Sequence, residues 1–215
     1  MAMAVTEIFH SIQGESTRAG RPCVFIRFTG CDLRCGYCDT TYSFHGGKKW
    51  TREEILAEVA RHPTRYVTLT GGEPLLQKEL PELARELIER GYEVAIETHG
   101  QARWDRLPPE VIKIVDAKTP GSGECATDEH LSWLRNLGPR DEVKFVICSE
   151  ADFRWAVDVV RRLELEGRVA ALLFSPVHGQ VDPKDLAAWL LASGIEGRLQ
   201  LQLHKLIWGA ETRGV

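Results

Sequence analysis

The sequence predicts an α/β fold around a largely parallel β-sheet, and three observations support this. Seven short apolar runs rich in β-branched residues recur along the chain, as expected for strands covered on both faces. Stretches with helical periodicity and recognisable caps lie between most of them. Strand and helix in alternation form right-handed βαβ units. An open doubly wound sheet and a barrel, complete or partial, both fit this pattern.

The predicted strands end in loops that carry unusual residues. The strands are CVFIRFTG (23–30), YVTLTGG (66–72), YEVAIET (92–98), VIKIVDA (111–117), EVKFVIC (142–148), VAALLFS (169–175) and RLQLQLH (198–204). A cysteine-rich loop follows the first strand, GGEP follows the second, and SPVHG follows the sixth. In parallel sheets and barrels the reactive groups collect at the C-terminal ends of the strands. We therefore expect these three loops to share one site.

Four helices are predicted from their caps. A capping box of Thr51 and Glu54 precedes the first, ILAEVA (55–60). Glycine follows each of the other three, and proline stands near the start of two of them. These three are the stretches ELARELIER (82–90), DFRWAVDVVRRLELE (152–166) and DLAAWLLAS (185–193).

Length and composition predict one globular domain over residues 1–215. Hydrophobic residues make up 43% and charged residues 27% of the 215 positions. The formal charge of -4 argues against nucleic acid as a main partner, because phosphate binding needs a basic surface. VAALLF (169–174) is too short to span a bilayer, and MAMAVTEIFHS has no signal-peptide pattern. We expect no membrane or nucleic-acid partner and a cytoplasmic location.

Three of the six cysteines cluster in GCDLRCGYCDTTY (30–42), where Cys31, Cys35 and Cys38 have the spacing C-x3-C-x2-C. A chain this long does not need disulfides, so clustered thiols in a reducing compartment are metal ligands or catalysts. The cysteines at 23, 125 and 148 are expected to be small buried hydrophobic residues.

The number of clustered thiols bears on the kind of metal site. A structural zinc site needs four ligands, and neither His45 nor Cys23 has the usual spacing to complete one. A cubic [4Fe–4S] cluster normally takes four cysteines, so three would leave one iron open. That iron can bind a small molecule through an amine and a carboxylate. Zinc binding and thiol redox chemistry are the alternatives.

The cysteine loop resembles that of the radical SAM superfamily. The superfamily pattern C-x3-C-x-aromatic-C is matched by Cys31, Cys35, Tyr37 and Cys38, and a GGE-type stretch is matched by TGGEP (70–74). The resemblance implies that the three catalytic cysteines hold a [4Fe–4S] cluster whose open iron chelates S-adenosylmethionine. The reduced cluster would cleave the sulfonium, and a 5′-deoxyadenosyl radical would abstract hydrogen from the substrate.

Segments at both ends of the chain resemble one particular family within this superfamily. TEIFHSIQGESTRAGRPCVFIRFTGCDLRC at the start, CDT after the third cysteine and LQLHKLIWGAETRGV at the end resemble 7-carboxy-7-deazaguanine synthases. The resemblance is strongest over 6–42, 68–74 and 200–215, and weakest between 100 and 170. It implies a lyase that converts 6-carboxy-5,6,7,8-tetrahydropterin to 7-carboxy-7-deazaguanine with loss of ammonia, a step towards queuosine and other 7-deazapurines. The product could serve tRNA modification or a secondary metabolite, since both would use the same step. The resemblance also implies a partial TIM-like barrel of radical SAM type, Mg²⁺, a homodimer, and an electron donor such as flavodoxin or ferredoxin.

The resemblance assigns eight residues to substrate. Arg27 lies in an apolar strand and needs an anionic partner, which a substrate carboxylate would provide through a fork-like pair. A structural ion pair for Arg27, a core position for His204 and a frayed tail at Val215 are the alternatives. In the family the carboxylate of the terminal residue reaches the substrate. The substrate residues are Ile12, Gln13, Gly14, Glu15, Arg27, Thr70, His204 and Val215.

The resemblance also assigns residues to the cofactor. Thr40 would bind Mg²⁺, or it is a loop hydroxyl. Relatives have Ser-Pro-Lys at 116–118, where Lys118 is the best contact and Asp116 could instead cap a turn. They have Gln-Pro-x-Asp-like residues at 175–178, where the side-chain roles stay open. The S-adenosylmethionine residues are Tyr37, Cys38, Asp39, Gly72, Glu73, Asp116, Ala117, Lys118, Ser175, Pro176, Val177 and His178.

Two other functions share part of this pattern. An activase of glycyl-radical enzymes has the same cysteine spacing and GGEP, but it acts on a protein and does not need IQGE or Arg27. A non-catalytic iron–sulfur or zinc protein would hold a closed metal site and would not bind S-adenosylmethionine. Turnover of a small molecule would distinguish a synthase from an activase. An electron paramagnetic resonance response to S-adenosylmethionine would distinguish a radical enzyme from a non-catalytic metal protein.

Overall fold

The computed structural model describes residues 2–215, and in this part of the chain nine strands form one sheet. In chain order the strands are β1 (Ala2–Ile12), β2 (Pro22–Phe28), β3 (Lys48–Thr51), β4 (Tyr66–Gly71), β5 (Glu93–Thr98), β6 (Ile112–Asp116), β7 (Glu142–Ile147), β8 (Ala171–Pro176) and β9 (Arg198–Leu199). Their spatial order is β3-β1-β2-β4-β5-β6-β7-β8-β9. β1 pairs antiparallel with β2 and β3, and every pair from β2 to β9 is parallel.

Helices connect most of the parallel strands. They are α1 (Arg52–Val59), α2 (Leu80–Glu89), α3 (Asp128–Trp133), α4 (Glu150–Leu163), α5 (Pro183–Ser193) and α6 (Leu203–Trp208). The capping box predicted at Thr51 and Glu54 is present, with the Thr51 side chain accepting from the Glu54 N–H and the Glu54 side chain accepting from the Thr51 N–H. Asp182 caps α5, and Gly194 ends it with a φ of 70°.

The helices α1 to α5 all contribute to one core on one face of the sheet, which we call the outer face. Outward strand residues such as Val24, Leu69 and Phe145 pack there with helix residues such as Leu83 and Val160. Each such side chain contributes about 1.5–3 kcal/mol by its removal from water. A doubly wound sheet carries helices on both faces, so this alternative is excluded and a mostly parallel, open, barrel-like sheet remains.

The opposite, inner face of the sheet is covered by loops. A small apolar cluster, including Phe25, Tyr66 and Ile112, lies on this face. The connection between β1 and β2, residues 13–21, crosses the same face. Gln13 Nε2 donates to Thr68 in β4 over 3.2 Å, and the Thr17 N–H donates to Glu142 in β7 over 3.1 Å. Segment 13–21 therefore fills the inner face near the N-terminal ends of the parallel strands.

Most predicted strands are confirmed, but the last is wrong. The alternation in RLQLQLH favours a strand over 198–204, yet only Arg198 and Leu199 pair with β8, and α6 begins at Leu203. Gln202 instead turns towards Glu15 across the inner face. The antiparallel strands β1 and β3 and the short helices α3 and α6 were not predicted. The elements β3, α3 and α6 have only 4, 6 and 6 residues, too few for a clear periodicity.

No helix within residues 2–215 combines the length and the apolar character that a membrane crossing requires.

Candidate active site

The cysteine loop follows β2 and opens onto a cavity of about 190 Å³ at the C-terminal ends of the strands. Cys31, Cys35 and Cys38 line this first cavity, and all three thiols are half-buried. Burial raises the pKa of the Cys31 and Cys35 thiols in the metal-free protein. Metal binding must displace those protons, which couples ligation to pH. The donor set fits an iron–sulfur cluster with one open iron, because three thiols face one polar cavity.

The Gly-Gly turn after β4 packs directly on the start of the cysteine loop. The Glu73 N–H donates to the Gly30 carbonyl over 2.7 Å, and the Gly72 N–H donates to the Phe28 carbonyl over 3.1 Å. A Cβ on Gly72 would lie 2.9 Å from the Cβ of Cys31 and would collide with the Gly30 carbonyl. The close approach between the two loops therefore requires glycine at this position.

We expect Gly72→Ala to destabilise the metal-free protein by about 1–3 kcal/mol, because the added methyl group must displace the cysteine loop. Thermal unfolding and iron content after reconstitution would measure the effect. Gly36→Ala is the matched control within the cysteine loop, since a Cβ on Gly36 would lie 3.9 Å from the nearest atom that it meets. Equal melting temperatures for the two variants would contradict the prediction.

Glu73 is fully enclosed and does not line the first cavity. Its carboxylate accepts from the Thr98 hydroxyl over 2.9 Å, the Leu75 N–H over 3.0 Å and the His99 N–H over 2.9 Å. Burial raises the pKa of Glu73, and these donors work against that rise. The resemblance assigned Glu73 to S-adenosylmethionine. The structure instead directs the carboxylate towards groups of the protein itself.

Unpartnered polar atoms line the far wall of the first cavity. The Tyr37 hydroxyl, Asp116 Oδ1 and the Ser175 hydroxyl are buried, with no hydrogen-bond partner among residues 2–215. Lys118 Nζ lies 2.8 Å from Asp116 Oδ2 and 5.4 Å from the centre of the Tyr37 ring. Buried polar groups are nearly always paired in folded proteins. These orphaned atoms fit a polar ligand such as S-adenosylmethionine.

The other predicted cofactor residues are distributed unevenly. Asp39 and Gly72 line the first cavity, as do Pro176, Val177 and His178. Ala117 is buried and lines neither this cavity nor the neighbouring one.

A second cavity of about 170 Å³ adjoins the first. All eight predicted substrate residues line it: Ile12, Gln13, Gly14, Glu15, Arg27, Thr70, His204 and Val215. The two cavities share wall residues, among them Asp39, Thr40, Glu97 and Lys144. A molecule in the second cavity would therefore lie next to one in the first.

A buried charge cluster stands at the boundary between the cavities. Lys144 pairs with Glu15, which also accepts from Gln202 Nε2 over 2.7 Å. Burial tends to raise the pKa of Glu15, but the Lys144 charge and the hydrogen bonds from Lys144 and Gln202 together outweigh it, and the pKa is lowered. Glu97 accepts from the Thr70 hydroxyl over 3.0 Å, and its pKa is raised by burial and by the Glu15 charge. The two carboxylates, in one small space, thus have pKa values shifted in opposite directions.

Arg27 is held by an internal ion pair but keeps part of its guanidinium free. Arg27 Nε donates to Glu7 over 2.7 Å, and the Tyr42 hydroxyl donates to the same Glu7 oxygen over 2.8 Å. Only Nε of Arg27 has a hydrogen-bond partner in the described part of the chain. The structural ion pair of Arg27 is therefore present, and its two terminal nitrogens keep their donors available. The bond from Nε to Glu7 fixes the orientation of the guanidinium group.

The C-terminal segment, residues 202–215, closes the side of the second cavity. The Leu203 N–H donates to the Gly14 carbonyl over 3.0 Å, and a Cβ on Gly14 would lie 3.1 Å from Cγ of His204. Lys205 Nζ lies 2.7 Å from Asp39 Oδ2, and the Arg213 guanidinium lies 4.2 Å from the centre of the Tyr42 ring. This segment joins the β9 edge of the sheet to segment 13–21 and the cysteine loop.

His204 gives the protein a pH-dependent stability. Its pKa is lowered, because burial opposes the charged ring more than the nearby carboxylates favour it. The unfolded chain then binds a proton more readily than the folded one below about pH 6.5. We expect the free energy of unfolding to fall between about pH 7 and pH 5 more steeply in the parent than in His204→Asn. Urea unfolding at several pH values would measure this, and parallel curves would contradict it.

Several site residues were not identified from the sequence. Glu97, Lys144, Gln202 and Lys205 line the cavities, as does His99. A usable signal existed for two of them. Lys144 and Glu97 are charged residues within or at the end of apolar strands, where a charge needs a partner.

Comparison with known proteins gives consistent results. Residues 25–119 match the Radical SAM superfamily. The 7-carboxy-7-deazaguanine synthase of Koribacter versatilis is 45% identical over 99% of this chain and 100% of its own length. That of Chlorobaculum tepidum is 43% identical over 98% and 96%. The crystal structure of QueE from Escherichia coli aligns with a TM-score of 0.75 at 23% identity, over 94% of both chains. The fold is thus a partial TIM-like barrel.

Proposed function

This chain belongs to the 7-carboxy-7-deazaguanine synthase family, and from that premise we propose how its residues carry out the reaction. It is a radical SAM enzyme that uses a [4Fe–4S] cluster and S-adenosylmethionine. It converts 6-carboxy-5,6,7,8-tetrahydropterin to 7-carboxy-7-deazaguanine by ring contraction with loss of ammonia. The observation that supports the residue assignment is the pair of adjoining cavities, one lined by three thiols and the other by polar and charged groups.

The first cavity is proposed to hold the cluster and S-adenosylmethionine. Cys31, Cys35 and Cys38 would ligate three irons, and the Gly-Gly turn would let the ligand approach the backbone. A cluster and S-adenosylmethionine held there would supply the one-electron radical chemistry of the superfamily. Tyr37 and Ser175 would donate the hydrogen bonds for which they have no partner in residues 2–215. The enclosing walls exclude water from this chemistry.

The second cavity is proposed to hold the pterin. Gln13 and Glu15 would bind the edge of the aminopyrimidinone ring, because an amide and a carboxylate together match its donors and acceptors. Arg27 would present its terminal nitrogens to the substrate carboxylate, with Glu7 fixing the fork. Thr70, His204 and Val215 would complete the wall. Glu97, whose pKa is raised, can hold a proton beside the substrate.

A divalent cation is proposed to bind at the boundary between the cavities. The Thr40 hydroxyl donates to Asp39 Oδ1 over 2.8 Å, and both residues line both cavities. Mg²⁺ prefers oxygen ligands and retains waters, so Thr40, substrate oxygens and water would form its coordination sphere. The oxygens of this chain alone are too few to hold the ion tightly, which makes its binding depend on substrate.

The remaining assignments follow from the family. We propose a single radical SAM domain over residues 1–215 that acts as a homodimer in the cytoplasm and receives electrons from a flavodoxin or a ferredoxin. Its product would enter queuosine and 7-deazapurine synthesis. Sedimentation at several protein concentrations tests the dimer.

Anaerobic turnover tests the proposed reaction. The protein is reconstituted with iron and sulfide, reduced, and mixed with S-adenosylmethionine, Mg²⁺ and 6-carboxytetrahydropterin. Mass spectrometry should show a product lighter than the substrate by ammonia, without stoichiometric loss of S-adenosylmethionine. Formation of 5′-deoxyadenosine with unchanged pterin would contradict the substrate assignment, and absence of both from protein with a reducible cluster would contradict the enzyme assignment.

A further inference from the structure

His99 joins the cysteine loop to the Gly-Gly-Glu turn. It follows β5, is buried, and lines the first cavity. Its Nε2 lies 2.9 Å from Asp32 Oδ1 in the cysteine loop and 3.2 Å from Glu73 Oε2 in the Gly-Gly-Glu turn. One ring nitrogen thus contacts a carboxylate from each loop.

The tautomer of His99 follows from its other nitrogen. The backbone N–H of Gln101 donates to Nδ1 over 3.0 Å, so Nδ1 must carry a lone pair. The proton of the neutral ring then lies on Nε2 and points between the two carboxylates. His99 is therefore a fixed hydrogen-bond donor, held in place by the main chain.

The His99 ring also lies near the sulfur of Cys31. One ligand atom each of Cys31, Asp32 and His99 lies within 4.8 Å of the others. Hydrogen bonds and charges next to ligand sulfurs set the reduction potential of iron–sulfur clusters. A donor stabilises the more negative reduced state, whereas a neighbouring carboxylate destabilises it.

We propose that His99 is a positioning residue that also tunes the cluster. Its Nε2–H fixes the Cys31 loop against the Gly-Gly-Glu turn and balances the negative charge of Asp32 and Glu73 next to the Cys31 sulfur. This proposal rests on the proposed cluster at Cys31, Cys35 and Cys38. Its test requires neither the pterin nor turnover. The proposal for His99 can therefore be refuted while the proposed ring contraction remains supported.

The test compares the two partners of one hydrogen bond. His99→Phe removes the donor but keeps a planar aromatic ring, and Asp32→Asn removes the charge at a half-exposed position where unfolding is not expected. Both proteins are reconstituted without substrate, and the midpoint potential of the cluster is measured by dye-mediated titration. We expect His99→Phe to lower the potential and Asp32→Asn to raise it. The electron paramagnetic resonance shift on addition of S-adenosylmethionine should also weaken in His99→Phe.

The control variant is Gln101→Ala, which keeps the main-chain N–H that fixes the tautomer and removes a side chain that donates to the Glu124 carbonyl. Its potential should match that of the parent. A purely structural clamp predicts no change, or changes of one sign, in His99→Phe and Asp32→Asn, and either result overturns the proposal. If His99→Phe fails to assemble a cluster, the Asp32→Asn potential decides, and an unchanged value overturns the proposal.

Discussion

Replacement of Lys144 by methionine is expected to abolish turnover and to cost roughly 3–5 kcal/mol of folding free energy. Lys144 lies between the cavities with 15% of its side chain exposed, and it supplies the positive charge that keeps Glu15 ionised. Its removal leaves a desolvated carboxylate next to Glu97, whose pKa the Glu15 charge already raises. Glu15 would then either take up a proton, which removes the ionised acceptor from the substrate, or stay ionised and lower the free energy of unfolding.

The double variant Lys144→Met with Glu15→Gln separates stability from function. Without the carboxylate there is no unpaired charge, so most of the lost folding free energy should return in anaerobic urea unfolding. Activity should stay absent, because the amide cannot replace the carboxylate on the pterin edge. If the double variant is as unstable as Lys144→Met, packing rather than charge explains the loss, and our account of the cluster is wrong.

Arg27→Ala is expected to lower kcat/KM for the pterin on the order of 10²–10³-fold while the cluster assembles normally. Each hydrogen bond between charged groups contributes about 1.5–3 kcal/mol, and tenfold in rate corresponds to 1.36 kcal/mol. Arg27 also pairs with Glu7, so the loss could arise from disorder of β1 and β2 instead. Arg27→Lys keeps a charge near Glu7 but lacks the fork, and it should recover stability more than activity.

Iron content and the S-adenosylmethionine-dependent electron paramagnetic resonance signal of Arg27→Ala are the deciding controls. Retention of both, with a raised KM, supports carboxylate recognition. Loss of the cluster in Arg27→Ala would assign the residue a structural role and withdraw it from the substrate site.

The sequence predicted the fold where local signals and tertiary structure agree. Buried parallel strands read as continuous apolar runs, and the capping box at Thr51 identified α1 without any tertiary information. The strand at 198–204 failed because its alternating pattern has no partner beyond Leu199, and the chain turns to reach Glu15. The choice between doubly wound and barrel-like sheets needed the structure, because it depends on which face each helix covers.

The candidate site was predictable where close residues form a motif. Cys31, Cys35 and Cys38 share one loop, so their spacing alone carried the information. Lys144 and His99 were missed, because they acquire a role only through residues distant in sequence. Lys144 pairs with a residue 129 positions away, and His99 bonds to one 67 positions away. Pairings at that range leave no local pattern in a single sequence.

The two ends of the barrel are built from independent parts of the chain. Segment 13–21 lies near the N-terminal ends of the strands and lines the second cavity. The cysteine loop lies at the C-terminal ends of the strands and lines the first cavity. Recognition and radical generation are therefore encoded separately. Exchange of segment 13–21 together with residues 202–215 offers a route to new substrates, provided that Lys205, which pairs with Asp39 of the cysteine loop, is retained.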